Sequence, residues 1–120
     1  MSTVEHILAH DQQLIAIIVA QAHNPPSTEF VTSSDLNLQV GFIKYPAGGD
    51  IQPHVHRPLE RHITGTGEVL LVCSGRMEVS LYDDDRRLVA QRVLSEGDLL
   101  VLVSGGARVQ DVGRYRAVRG

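Results

Sequence analysis

Two histidines separated by a single residue, His54 and His56, close the stretch Gly48-Gly49-Asp50-Ile51-Gln52-Pro53-His54-Val55-His56. In an extended strand side chains alternate between faces, so this spacing sends both imidazoles into one space. Neutral imidazole is a good ligand for Zn, Fe, Mn, Ni or Cu, and spacing alone does not choose among them. Glu68 opens the next apolar run, Glu68-Val69-Leu70-Leu71-Val72-Cys73, which ends at Ser74-Gly75. A carboxylate on a buried strand needs a partner, and a metal ion held by His54, His56 and Glu68 supplies one. An ion with three protein ligands keeps open positions, where it polarises a substrate oxygen or acidifies a bound water. Two plainer readings stand beside this one. The histidines can be structural or solvated, and Glu68 can be ion-paired to Arg57 or Arg61.

Other polar groups lie close in sequence. Arg57 and Arg61 suit a carboxylate or phosphate through paired N–H donors, or belong to a solvated loop. His62 can substitute as a ligand from the same loop. Gln52 and Tyr45 are candidates for the pocket mouth. Together Arg57, Arg61, His62, Gln52 and Tyr45 form the expected substrate-binding set. His6, His10 and His23 are given no site role.

The elements that must position these groups read as strands. Leu14-Ile15-Ala16-Ile17-Ile18-Val19 is rich in β-branched residues and predicts a buried strand, with a helix over residues 3–20 as its rival. Asn24-Pro25-Pro26-Ser27 stops whatever precedes it. Residues 28–32 predict a short strand. Leu36, Leu38, Val40 and Phe42 alternate with Asn37, Gln39 and Gly41, the pattern of a half-buried strand. A turn over 46–50 leads to the histidine strand, 51–56, and a long loop follows over 57–67. Residues 68–73 predict a strand buried on both faces, with Cys73 an inert interior thiol. Met77, Val79 and Leu81 alternate with Arg76, Glu78 and Ser80. The charged run 83–87 is a solvated hairpin tip, 88–94 returns as a strand, and 99–103 is a strongly apolar one. Many short strands with glycine turns indicate an all-β antiparallel sandwich or barrel.

Bulk properties narrow the function. The chain has 120 residues, 42% hydrophobic and 21% charged, with net charge −3 and pI near 6.0. That suits one soluble domain over residues 1–120, with no basic face for nucleic acid or an anionic membrane. No apolar run is long enough to span a bilayer, and the N-terminus lacks a basic leader region. A single cysteine excludes a disulfide within the chain. A cytoplasmic location is the expectation.

The glycine-framed pattern resembles the first motif of the cupin superfamily, G-x5-H-x-H-x3/4-E-x6-G. Gly48, His54 and His56 match its start, and Glu68 with Gly75 matches its end. The departure is the spacer of eleven residues, Arg57 to Gly67. Glu60 sits at the usual distance from His56, and Glu68 with Gly75 is the pair preferred here. The resemblance covers roughly residues 36–106. It implies a cupin-type jelly-roll of antiparallel strands, with a barrel core over about 28–106 and a divalent transition metal. It also implies a small polar ligand and a homodimer paired through strands near the N-terminus, a role that Leu14 to Val19 suits. Isomerases, dioxygenases and decarboxylases acting on sugar derivatives or hydroxy and keto acids fall within what it implies. A non-catalytic metal- or metabolite-binding module is the alternative.

The second cupin motif resembles Gly97-Asp98-Leu99-Leu100-Val101-Leu102-Val103-Ser104-Gly105-Gly106. Cupins place a third histidine after this strand. Here Ala107 and Arg108 stand there, and the tail over 107–120 reads as atypical. Read from the second base of each codon, residues 107–116 are compatible with His-Gly-Phe-(Lys or Arg)-Met-Leu-(Asp or Glu)-Asp-Thr-Glu, the continuation that the resemblance implies. The expectation is a tail encoded out of frame.

Overall fold

The computed structural model describes residues 2–113. Their secondary structure is entirely β. No helix among the described residues is long and apolar enough to cross a membrane. The strands are β1 (Val4–Leu8), β2 (Leu14–Val19), β3 (Glu29–Phe30), β4 (Gly41–Phe42), β5 (Glu68–Leu71), β6 (Arg76–Tyr82), β7 (Leu88–Ser95), β8 (Leu99–Leu102) and β9 (Gly106–Asp111). They fall into two compact units. One comprises the chain up to His23 and from Thr66 onward; the other is Asn24–Gly65.

The first unit holds two antiparallel sheets, ordered β1-β2-β8-β5 and β7-β6-β9. β1 packs against β7 and β2 against β6. Between them lies a core that includes Ile7, Ile15, Ala16 and Ile18 from one side and Val79, Leu81 and Leu94 from the other. Leu100 and Leu102 of β8 complete it. Leu81, Leu100, Ile15 and Val79 are almost wholly enclosed. Burial of each such side chain contributes about 1.5–3 kcal/mol. Pairing fixes which residues share the inner face. Glu68↔Leu102 and Leu70↔Leu100 stand opposite one another, as do Leu81↔Ala107 and Val79↔Val109.

The sheets do not close into a barrel; no ladder among the described residues joins one to the other. At the β1 and β7 edges the sandwich is fastened by an ion pair, in which Arg92 donates to both carboxylate oxygens of Glu5 at 2.9 and 2.8 Å. At the other end, among the described residues, β5 and β9 each pair with a strand on one side only. Val109, on the inner face of β9, remains 47% exposed.

Several sequence expectations hold and several are corrected. β2, β6, β7 and β8 form where the sequence places them. The helical rival over residues 3–20 is absent, and Val4–Leu8 pairs with β2 as a strand. β2 is an inner strand flanked by β1 and β8, so its edge is closed to a partner chain. β5 ends at Leu71 and is an edge strand, with Val69 and Leu71 exposed rather than buried. Cys73, just beyond its end, is exposed. The tail over 107–120 starts as a strand: Ala107 to Asp111 belong to β9, paired with β6. Residues 114–120 of that tail lie outside the described residues.

The charged tip over 83–87 is a more ordered turn than a solvated run. Asp83 is only 9% exposed. It accepts from the backbone N–H of Asp85 and of Arg87, both at 2.9 Å, and from Arg87 Nε at 3.2 Å. These donors, the Arg87 N–H foremost, hold its carboxyl below the usual range.

The second unit is sparser. β3 and β4 pair as Glu29↔Phe42 and Phe30↔Gly41. The strand expected over 36–42 shrinks to Gly41–Phe42, because local side-chain bonds win over the ladder. Gln39 Nε2 donates to the carbonyls of Ser33 and Leu36 at 2.9 and 2.8 Å. Thr32 Oγ1 accepts from the Val40 N–H at 3.0 Å, and Ser33 donates to Asp35.

Candidate functional site

The histidine stretch lies in the second unit. Its entry turn forms as expected: Gly49 N–H donates to Pro46 O at 2.9 Å, and Gly48 takes φ +82°. Only a residue without Cβ adopts that φ at no cost. The strand expected over 51–56 is absent. Pro53 and Pro58 each lack an N–H, and no neighbouring strand offers a ladder. Every residue from 43 to 67 is exposed.

His54 and His56 are nevertheless brought together. Their ring centroids lie 5.3 Å apart with planes inclined at 58°. Two imidazoles sharing one ion through Zn–N bonds of about 2.0–2.1 Å place their ring centres roughly 4.5–5.5 Å apart. The Nδ1 of His54 lies 3.1 Å from the Gln52 carbonyl oxygen. A carbonyl only accepts, so Nδ1 is the donor in this contact and Nε2 is the nitrogen left to face a ligand. This is the arrangement by which a backbone carbonyl orients a metal-binding histidine.

The other expected residues are placed as follows. Glu68 opens β5 in the first unit, exposed, on the inner-face register of its sheet. Gln52 is exposed and donates through Nε2 to Asp50 at 3.4 Å. Tyr45, Arg57 and His62 are exposed. Arg61 donates from Nη1 to the Asp35 carbonyl at 3.0 Å, a tie within the second unit. No three His, Cys, Asp or Glu side chains converge on a common point among the described residues.

Ala107 is the position at which the sequence departs most from its expected pattern. Its pairing with Leu81 puts it on the inner face of the β7-β6-β9 sheet. A side chain there carries no donor atom. Sequence reasoning did not single out the open cavity of about 450 Å³ beside it, lined by Tyr82, Asp83, Asp84, Arg86 and residues 105–107. Its walls are two turns pinned by a hydrogen bond from Gly105 N–H to Asp84 Oδ1 at 3.2 Å. Only pairing between turns distant in sequence creates it, and no local motif announces that.

Comparison with known proteins returns no match: no family model, no curated protein and no solved structure is similar to this chain.

Proposed function

We propose that this chain is a small metal-binding protein of the cupin kind, in which His54 and His56 hold a divalent transition-metal ion. The observation that carries the reading is the ring pair at 5.3 Å, with His54 Nδ1 committed to a backbone carbonyl. The β-rich sandwich and the glycine-framed H-x-H stretch support it. By the resemblance, Glu68 is the third donor. The open positions of such an ion suit a small polar ligand, a sugar derivative or a hydroxy or keto acid. Arg57, Arg61, His62, Gln52 and Tyr45 are the groups to meet its polar atoms. Isomerase or dioxygenase chemistry is the catalytic form of this proposal. A homodimer in the cytoplasm belongs to it as well, with β5 and β9, each paired on one side only among the described residues, as the strands to add a partner strand.

One observation favours a non-catalytic form. Register directs position 107 inward, where the resemblance implies a third histidine and the chain has alanine. A site short of one ligand binds an ion more weakly and leaves it less well oriented for turnover.

Metal content and affinity of the purified chain test the proposal, beside a His54→Ala/His56→Ala double variant. One equivalent of metal in the parent, lost in the variant, is the expected result. Parent protein that takes up no ion above background would sink it.

A further inference from the structure

Phe30↔Gly41 and Tyr82↔Gly106 each set an aromatic residue directly opposite a glycine on a neighbouring strand. A ring that covers such a glycine restores the packing its missing side chain gives up. Phe30 does this, since a Cβ built on Gly41 would stand 2.6–2.9 Å from its ring carbons. Tyr82 does not. A Cβ built on Gly106 would meet no described atom within 4 Å, so the place opposite Tyr82 is open. Both residues line the cavity between the β6–β7 turn and the β8–β9 turn, together with Asp84 and Arg86.

The charges of that cavity are unevenly engaged. Asp83 pairs with Arg87, and Arg87 pairs with Asp85 as well. Asp84 commits only Oδ1, which accepts from the Gly105 N–H. The Arg86 guanidinium has no partner among the described residues, and it forms no ion pair with Asp84 although both line one cavity. Arg86 also holds φ +66°, a conformation that glycine takes at no cost and that an L side chain resists. A hairpin tip serving only as a turn would favour glycine there.

We propose that this cavity binds a small aromatic zwitterion, of the aromatic α-amino acid class. The ligand's carboxylate takes the paired N–H donors of Arg86. Its ammonium donates to Oδ2 of Asp84. Its ring fills the open place over Gly106 and packs offset or edge-to-face against Tyr82. A plain anion would leave the Asp84 carboxylate facing it unpaired, and a plain cation would face Arg86. A ligand carrying both charges answers both. At about 450 Å³ the cavity falls within the roughly 300–1,000 Å³ of small-molecule pockets. It lies in the first unit and uses none of the residues proposed to hold a metal.

Titration of the full chain with L-phenylalanine, followed through backbone amide shifts by heteronuclear NMR, tests this. Saturable shifts centred on residues 82–86 and 105–107 are expected. Phenylalaninamide lacks the carboxylate, hydrocinnamate lacks the ammonium and alanine lacks the ring. Each is expected to bind roughly tenfold more weakly than phenylalanine, the loss of one favourable contact. Two variants separate binding from folding. Gly106→Val fills the open place on a strand, where a β-branched residue is favoured, and Arg86→Gly relieves the left-handed backbone. Neither is expected to lower the thermal midpoint, and each is expected to weaken phenylalanine binding by roughly tenfold or more. Absence of saturable shifts up to the solubility limit of phenylalanine would overturn the proposal. So would shifts centred elsewhere, or an affinity unchanged in a variant that keeps its midpoint. An amide, an acid or an alanine that binds as tightly as phenylalanine would overturn it too.

Discussion

Arg92 of β7 and Glu5 of β1, 87 residues apart in the chain, meet in a two-pronged ion pair that closes one end of the sandwich. Each is roughly 40% exposed, so solvent screens much of the attraction. The pair nevertheless joins the two sheets through side chains far apart in sequence.

Its pH dependence follows from that geometry. The Arg92 side chain, by donating to Glu5, holds the carboxyl below its ordinary value of 4.5. The contribution is therefore complete above that value and is lost as pH falls through the depressed folded value. The same bond pushes the Arg92 guanidinium further up, so it stays charged across any working range. Glu5→Gln is expected to lower stability by about 1 kcal/mol at pH 7 and to make little difference in strong acid, checked by urea unfolding at both pH values. An equal loss at both would remove the charge from the explanation.

Gly105 tests the junction between the turn after β8 and the end of β6. Its φ is +67°, and a Cβ built there would stand 2.0 Å from the Tyr82 carbonyl oxygen. Neither backbone can yield cheaply. Gly105→Ala is expected to destabilise by about 1–3 kcal/mol, read from the thermal midpoint. Gly75→Ala, also at positive φ but with no described atom within 4 Å of the added Cβ, is the control for conformation alone.

Cys73 reports on the end of β5. Because the thiol is exposed, it is expected to react fully with a thiol-titrating disulfide reagent in native buffer, as fast as in denaturant to within a small factor. A thiol that reacts only after unfolding would restore the buried strand that the apolar run suggests.

The coding DNA tests the tail. Residues 107–116 are expected to be encoded by codons which, read one base on, spell the His-Gly-Phe continuation given above. A shifted frame that lacks a histidine codon at the first place rejects the idea. The inward register of position 107 is the structural observation that makes a ligand there reasonable.

Much of the sandwich was legible because its strands obey one rule each. β6 alternates cleanly, and β8 and β2 are continuous apolar runs that only an inner strand accommodates. The rule failed where something other than periodicity decided. Leu36 to Phe42 alternates as well as β6 does, yet Gln39 and Thr32 tie up the backbone that a ladder would need. Residues 51–56 carry the right spacing for a shared face, but prolines and the lack of a neighbour leave them unpaired. The closeness of His54 and His56 was legible; its dependence on a strand was not borne out. Glu68 read as buried because its neighbours are apolar, and whether a strand lies at an edge is a property of topology that no window of sequence contains.

β2 and β5 both run antiparallel to β8, and therefore parallel to each other. Parallel neighbours on one central strand require a crossover connection, and residues 24–65 are that connection. No ladder pair of either sheet in the first unit draws on them. The histidines thus ride on a cassette whose length and chemistry can be rewritten without shifting the register of any strand it joins. A metal specificity grafted there would inherit its scaffold unchanged.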